Sequence, residues 1–159
     1  QFDLVFSNFT FQWCQNLPRL MAEQWRVLKP GGYLMFTTVG PKTLWQLRTA
    51  WQQADNFVHV NQFPASENVR CSLEAQGFDV IHWQQEIHTR YYDQLKGLTS
   101  ELKAIGAHNL NKGRNTGLTG RNHLEKMKSA YESFRTDNGL PADWELIYVV
   151  ARKPEASKG

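Results

Sequence analysis

Two apolar runs frame the first part of the chain and predict strands. Phe2 to Phe6 is mainly apolar and gives way to two small polar residues, Ser7 and Asn8, which is typical of a buried strand that ends there. Tyr33 to Val39 is a second such run, directly after Pro30-Gly31-Gly32. Because the residues between have helical spacing, the pattern predicts a strand, a helix and a second strand.

The first helix is predicted to begin after Asn16. The Asn16 side chain can accept a hydrogen bond from the first turn, where Pro18 lies and a missing N–H costs little. Pro30 and the two glycines after it are expected to end the helix. The apolar residues that recur on one helical face are Leu17, Leu20, Met21, Trp25 and Leu28.

The remaining pattern predicts helices and strands in alternation. Ser66, Asp93 and Thr119 are predicted to cap helices. The predicted elements are a helix from Pro41, a loop over 55–65, a helix from Ser66 to Gly77, a strand over Phe78 to Tyr92, a helix after Asp93, a polar loop over 106–120, a helix after Thr119 and a strand over Trp144 to Arg152. This order predicts an α/β fold whose first two strands are parallel neighbours joined by a right-handed crossover.

Composition narrows the class of protein. The net charge of +3 does not demand a nucleic-acid partner, and no apolar run approaches the roughly 20 residues that span a membrane. Cys14 and Cys71 have no metal or CxxC spacing, so both are expected to be reduced in a cytoplasmic protein. His59, His82, His88 and His123 have no metal-binding spacing either, and we expect them to be surface or internally satisfied residues.

Several segments resemble one family of enzymes. The chain is similar to the malonyl-acyl-carrier-protein O-methyltransferases of biotin synthesis, a class I S-adenosylmethionine-dependent methyltransferase family. The resemblance covers almost all of the 159 residues. The segments that carry it are Ser7 to Cys14 (SNFTFQWC), Thr37-Thr38, Leu102 to Asn109 (LKAIGAHN), Gly113-Arg114, Leu118 to Arg121 (LTGR) and Leu140-Pro141 before Trp144 to Arg152.

The resemblance implies a fold and a domain plan. We expect the C-terminal part of a Rossmann-like class I methyltransferase sheet over 1–152, with an antiparallel final strand pair, a helical substrate-side insertion over 93–135 and a polar tail over 153–159. The Gly-rich turn that this family places after its first strand is absent from the sequence. We therefore expect on the order of 100 residues upstream, and little activity from this part alone.

The resemblance also implies a cofactor site. Ser7 and Asn8 stand at the carboxyl end of a central strand, where open α/β sheets hold ligands, and the family places this position against the methionine part of S-adenosylmethionine. Alternatively, the pair only caps the next helix. Gln12 and Trp13 are further candidates, since an indole face stabilises a sulfonium cation, although Trp13 could equally be an ordinary core residue.

The polar loop over 106–120 is the candidate substrate site. A malonyl carboxylate is ionised at neutral pH, so the protein must orient it rather than deprotonate it. Arg114 is the first candidate to hold this carboxylate, with His108 and Asn109 as further donors. The alternatives are a solvated cation for Arg114 and a helix C-terminal cation for His108.

The leading hypothesis is methylation of the free carboxylate of a malonyl thioester on acyl carrier protein. Residues 95–135 hold eight basic and three acidic residues, which could steer an acidic carrier or simply form a solvated face. Methylation of another small carboxylic acid and non-catalytic binding of a carrier protein remain alternatives. We also expect self-association of this part of the chain through the strand Phe2 to Phe6.

Overall fold

The computed structural model of the protein describes residues 1–105 and 120–155. The strands and helices in these ranges are β1 (Phe2–Asn8), a single 3-10 turn (Phe11–Trp13), α1 (Leu17–Val27), β2 (Leu28–Val39), α2 (Trp45–Ala54), α3 (Ser66–Gln76), β3 (Asp79–Tyr92), α4 (Leu95–Ala104), α5 (Arg121–Glu132) and β4 (Leu140–Arg152). The predicted order of strands and α-helices is confirmed.

The four strands form one mixed sheet in the order β1-β2-β4-β3. β1 and β2 are parallel, with Leu4 opposite Tyr33 and Asn8 opposite Thr37. β4 runs antiparallel to β2, and Val149 lies opposite Phe36. The predicted α/β class is confirmed, and the carboxyl ends of β1 and β2 meet at the same edge of the sheet.

The chain divides into two compact units. The first comprises Gln1–Pro41, Phe63–Ile87 and Glu145–Gly159, and the second comprises Lys42–Gln62 and His88–Trp144. The core of the first unit is built from the inner faces of the strands together with α1 and α3. Its buried residues are Phe11, Met21, Leu28, Leu34, Phe36, Val69, Leu73, Phe78, Ile147, Val149 and Ala151.

Side chains form hydrogen bonds with backbone groups at both ends of α1, where the helix itself supplies no partners. Asn16 Oδ1 accepts a hydrogen bond from the Arg19 amide at 2.9 Å, which confirms the predicted cap. At the other end, Lys153 Nζ donates to the carbonyls of Trp25 and Leu28 at 2.7 and 2.8 Å. Lys153 is the first residue of the predicted polar tail. Its side chain therefore binds the C-terminal end of α1.

The second unit has its own core around α2, α4 and α5. Tyr131 is fully buried and its hydroxyl donates to the Pro141 carbonyl at 2.7 Å. The Asp143 carboxylate accepts from the Trp45 indole at 2.7 Å and from the Thr89 hydroxyl at 2.6 Å. The buried residues of this core are Leu44, Leu47, Ala50, Ala54, Val60, Leu98, Met127, Tyr131, Leu140 and Ala142.

Three predicted element starts are wrong. β4 begins at Leu140 rather than Trp144. β2 begins at Leu28 rather than Tyr33. The two glycines before Tyr33 do not form a separate turn, because Gly31 and Gly32 exchange backbone hydrogen bonds with Lys153. α2 begins at Trp45 rather than Pro41, because Leu44 has a left-handed backbone with φ of 53°. Local proline and glycine signals were overridden by pairing with distant segments.

The predicted helix caps were correct at only some positions. α3 ends at Gly77, whose φ of 98° suits glycine, so its predicted C-terminal cap is confirmed. The residue that precedes α3 is Ala65 rather than Ser66, and the residue that precedes α4 is Gln94 rather than Asp93. α5 is preceded by Gly120, while Thr119 lies outside the described residues.

β1 is less buried than its apolar sequence predicts. Phe2, Leu4 and Phe6 are 60%, 51% and 68% exposed, whereas Ser7 is buried. β1 stands at one end of the strand order, so one of its edges pairs with no other strand among the described residues. The prediction of a strand over these residues is confirmed, but the prediction that it is buried is wrong.

Candidate functional site

The carboxyl ends of β1 and β2 bring together several polar groups in the first unit. β1 ends at Asn8, and the 3-10 turn that follows holds Gln12 and Trp13. Phe11, the first residue of this turn, is buried and packs on Phe36 of β2 with ring centroids 5.0 Å apart. This apolar contact anchors the turn at the edge of the sheet where open α/β sheets hold ligands.

Two buried polar atoms at this edge have no hydrogen-bond partner within the described structure. They are the Ser7 hydroxyl oxygen and the Gln12 side-chain oxygen. Buried polar atoms are almost always paired in native proteins, because an unpaired one forfeits its hydration. Their position, one at the end of β1 and one in the following turn, is consistent with partners supplied by a bound molecule.

Asn8 is held differently. Its side-chain oxygen accepts a short hydrogen bond from the Thr37 hydroxyl of β2. The Phe9 amide in turn donates to the Thr37 hydroxyl oxygen at 3.2 Å and to the Thr37 carbonyl at 3.1 Å. Thr37 therefore fixes the chain where it leaves β1, although the sequence pattern alone gave it no separate role.

A buried carboxylate lies beside the end of β2. Glu145 is 2% exposed, and its side-chain Oε1 accepts from Gln85 Nε2 at 2.5 Å. The Gly40 amide donates to the Glu145 carbonyl at 2.9 Å, and a Cβ at Gly40 would collide with the Glu145 carboxylate. Sequence reasoning missed Glu145 because an isolated acidic residue in an apolar strand carries no spacing signal.

The other sequence candidates have mixed outcomes. Trp13 is 37% exposed, so its indole is not an ordinary core residue. Ser7, Asn8, Gln12 and Trp13 come to one edge of the sheet, but their role in binding a cofactor stays a prediction. His108, Asn109 and Arg114 lie outside the described residues.

The second unit contains a cavity of about 240 Å³ beside the end of α2, lined by both polar and apolar side chains. His59 Nε2 lies 2.8 Å from the Asp55 carboxylate, and the His59 ring stacks on Trp51 at a centroid distance of 3.7 Å. Arg48 donates to the Asn61 carbonyl at 3.3 Å, and burial lowers the pKa of its guanidinium. His59 is thus internally satisfied, as predicted, while His82 and His88 are exposed.

Residues 1–105 and 120–155 hold no cluster of three or more His, Cys, Asp or Glu side chains suited to a metal ion. Of the helices found there, none has the length and apolar character needed to cross a bilayer.

Solved structures support the fold. A protein from Bacillus halodurans C-125 superposes with a TM-score of 0.62 at 15% identity, covering 97% of this chain and 65% of that one. The [4+2]-cyclase SpnF gives a TM-score of 0.51 at 20% identity, covering 98% and 52%. The fold matches the C-terminal part of class I methyltransferase structures. Since a cyclase shares it, the fold alone does not determine a reaction.

Sequence relatives are more specific. The model of the methyltransferase domain family matches residues 1–36. The malonyl-[acyl-carrier protein] O-methyltransferase of Methylovorus sp. (strain MP688) is 45% identical over 154 residues, which are 97% of this chain and 52% of that protein. Over almost its whole length, the chain is similar to malonyl-acyl-carrier-protein O-methyltransferases.

The same similarity extends to a bifunctional protein. The biotin biosynthesis bifunctional protein BioHC of Cellvibrio japonicus is 45% identical over 152 residues, which are 96% of this chain and 30% of that protein. The chain thus spans about half the length of the O-methyltransferases and about a third of this bifunctional relative. The resemblance drawn from the sequence motifs is confirmed.

Proposed function

We propose that the chain is part of an enzyme that methylates the free carboxylate of a malonyl thioester on acyl carrier protein, with S-adenosylmethionine as methyl donor. The observation that carries this proposal is the 41–45% identity to several malonyl-[acyl-carrier protein] O-methyltransferases over nearly all of the chain. The resulting methyl ester would mask the charge of the acyl chain.

The polar groups at the end of β1 fit the amino-acid part of the proposed cofactor. That part is a zwitterion, which needs donors for its carboxylate and an acceptor for its ammonium group. The Ser7 hydroxyl can donate, and the unpaired Gln12 oxygen can accept. The Asn8 amide nitrogen can also donate, since the Asn8 oxygen is occupied by Thr37. The donor and acceptor set thus agrees with the cofactor.

The remaining residues have roles that follow from the same chemistry. S-adenosylmethionine would supply a positively charged sulfonium methyl group. The partly exposed Trp13 would offer the π face of its indole to that cation and shield it from water. We propose that Arg114, with His108 and Asn109, holds the malonyl carboxylate, because a guanidinium binds carboxylates through paired hydrogen bonds. Orientation, rather than proton transfer, is then the main task of the protein.

The described cations on α4 and α5 favour an acidic carrier protein as partner. Lys128 pairs with Glu125 at 2.9 Å, and Arg135, just after the end of α5, pairs with Glu132 at 2.7 Å. The basic residues of these helices that have no carboxylate within 4.0 Å among the described residues are Lys96, Lys103, Arg121 and Lys126. The charges of Lys96, Lys103 and Lys126 would steer an acidic surface toward this unit, whereas Arg121 interacts electrostatically with Glu125.

The test is a methyl-transfer assay with malonyl-acyl carrier protein and labelled S-adenosylmethionine, read by the intact mass of the carrier protein. This chain is assayed beside the whole product of its gene. Transfer to the malonyl carrier, with none to acetyl carrier protein, supports the proposal because acetyl has no free carboxylate. Transfer to a free small dicarboxylic acid but not to the malonyl carrier would contradict the proposed substrate.

A further inference from the structure

We infer that Thr37 is a positioning residue, whose hydroxyl holds the Asn8–Phe9 turn so that the Asn8 amide nitrogen is presented to the carboxylate of the bound cofactor. This inference rests on the proposed function, and it adds to the proposed cofactor site a residue to which the sequence motifs gave no role. It follows from the geometry at the ends of β1 and β2.

The Thr37 hydroxyl makes two hydrogen bonds that connect neighbouring strands. It donates to the side-chain oxygen of Asn8, which lies opposite Thr37 in the parallel register. Its oxygen also accepts from the Phe9 amide at 3.2 Å. One hydroxyl therefore fixes both a side chain and the backbone of the next residue.

The backbone at Phe9 requires such support. Its φ of 48° lies in the left-handed region, which residues with a side chain adopt at a cost in free energy. The Phe9 amide bonds both the hydroxyl and the carbonyl of Thr37, and the Thr10 hydroxyl donates to the Asn8 carbonyl at 3.2 Å. These contacts hold a turn that local preference disfavours.

The hydrogen bond to Thr37 also orients the Asn8 amide. Because the side-chain oxygen points at Thr37, the planar amide directs its nitrogen away from β2. The Asn8 amide nitrogen makes no hydrogen bond within the described part of the chain. A donor that is fixed in direction and not yet used suits an incoming carboxylate, since little freedom is lost on binding.

The turn held by Thr37 leads directly into the residues proposed to contact the cofactor. Gln12 and Trp13 lie in the 3-10 turn that starts two residues after Phe9. A shift of the Phe9 backbone would therefore move these side chains as well. We expect Thr37 to affect cofactor affinity more than the chemical step, because it touches neither the methyl group nor the acceptor.

The test compares Thr37→Val, which keeps the shape of the side chain, with Thr37→Ser, which keeps the hydroxyl. Calorimetry of the whole gene product with S-adenosylhomocysteine should show Kd raised about fivefold to tenfold in Thr37→Val and changed less than about twofold in Thr37→Ser. Thr99→Val is the matched control, because the Thr99 hydroxyl bonds only a carbonyl of its own helix. In the whole gene product, KM for the cofactor should rise while kcat stays nearly constant.

A double-mutant cycle identifies the route of the effect. If Thr37 acts through Asn8, then Thr37→Val should weaken binding less in an Asn8→Ala background than in the unaltered protein. Equal losses in both backgrounds, or equal affinities for Thr37→Val and Thr37→Ser, would overturn the inference. NMR of the protein without ligand gives an independent readout, in which the Phe9 amide should exchange about fivefold faster in Thr37→Val.

These measurements separate two kinds of failure. If the unaltered gene product neither binds S-adenosylhomocysteine nor transfers a methyl group, then the proposed function is wrong, whatever the state of the turn. If it binds and transfers, but Thr37→Val leaves both affinity and Phe9 exchange unchanged, then only the role of Thr37 is wrong.

Discussion

At the scale of single residues, the unpaired Ser7 and Gln12 oxygens suggest a conflict between stability and ligand binding. A buried polar atom without a partner destabilises a folded protein, and a ligand that supplies the partner recovers that loss. We predict that Ser7→Ala and Gln12→Met leave the free energy of unfolding unchanged or raise it by up to about 1 kcal/mol. Each should also weaken S-adenosylhomocysteine binding about fivefold.

Chemical denaturation and calorimetry on the same samples of the whole gene product test both halves of this prediction. Ser100→Ala and Gln53→Met are suitable controls, because both residues are exposed and should change neither quantity. A clear loss of stability in Ser7→Ala would mean that the hydroxyl already has a partner in the ligand-free protein, and would contradict the argument from unpaired atoms.

Tyr92 provides a prediction about alkaline pH. Burial, followed by its hydrogen bond to Glu101 at 2.9 Å, raises the pKa of Tyr92 to about 12 from a usual value of 10.0. The folded chain therefore holds the phenolic proton more tightly than the unfolded chain does. The resulting stability is complete below pH 10 and is lost as the pH rises from about 10 to about 12.

The pH dependence can be isolated by substitution. As the pH rises between these values, the free energy of unfolding should fall by about 1 kcal/mol less in Tyr92→Phe than in the unaltered protein. This figure allows for solvent screening, because Tyr92 is partly exposed. Urea denaturation at several pH values measures this difference in slope. Tyr33→Phe, on β2, is the comparison variant, and an equal effect there would show that Tyr92 has no special part.

Some residues of the candidate site could be predicted because the signal that marks them lies in neighbouring residues of the sequence. Ser7 and Asn8 directly follow an apolar run, so the local order of apolar and polar residues was enough to place them at the end of a strand. Thr37 and Glu145 could not be read in this way. Their importance arises from register across the sheet, which places Thr37 opposite Asn8 and Glu145 beside Gly40, and no local signal encodes that register.

At the scale of whole elements, the ends of helices depend on long-range partners. Asn16 caps α1 from its own sequence neighbourhood, so that end was predictable. The other end of α1 is satisfied by Lys153, which lies more than 120 residues away in sequence. Leu44 similarly ends the turn before α2 in a left-handed conformation that is held by the Asp143 carbonyl at 2.7 Å.

We predict that Lys153→Met destabilises the chain by about 1–3 kcal/mol. The substitution keeps an apolar stem but removes charged hydrogen bonds to the Trp25 and Leu28 carbonyls, together with a cation 4.9 Å from the Trp25 ring. Thermal and urea unfolding measure the change. Lys126→Met, at an exposed position on α5, should stay within about 0.5 kcal/mol, and an equal loss in both variants would contradict a capping role.

At the scale of the whole molecule, the two apolar cores account for the fold, while one strand remains unusual. Phe2, Leu4 and Phe6 alternate along β1 and are each more than half exposed. The outer edge of β1 pairs with no strand among the described residues. Exposed apolar side chains beside unpaired backbone groups favour association with another strand.

We therefore predict that this chain self-associates through β1 at micromolar concentration, and that Leu4→Lys with Phe6→Lys restores a monomer. Two charges on β1 would oppose close approach of a second strand, because each would lose hydration without gaining a partner. Sedimentation velocity over a dilution series measures the association. Ile81→Lys lies on β3, at the other end of the strand order, and should leave the association intact. A monomer formed by Ile81→Lys, but not by the β1 variant, would place the contact at β3 and contradict this prediction.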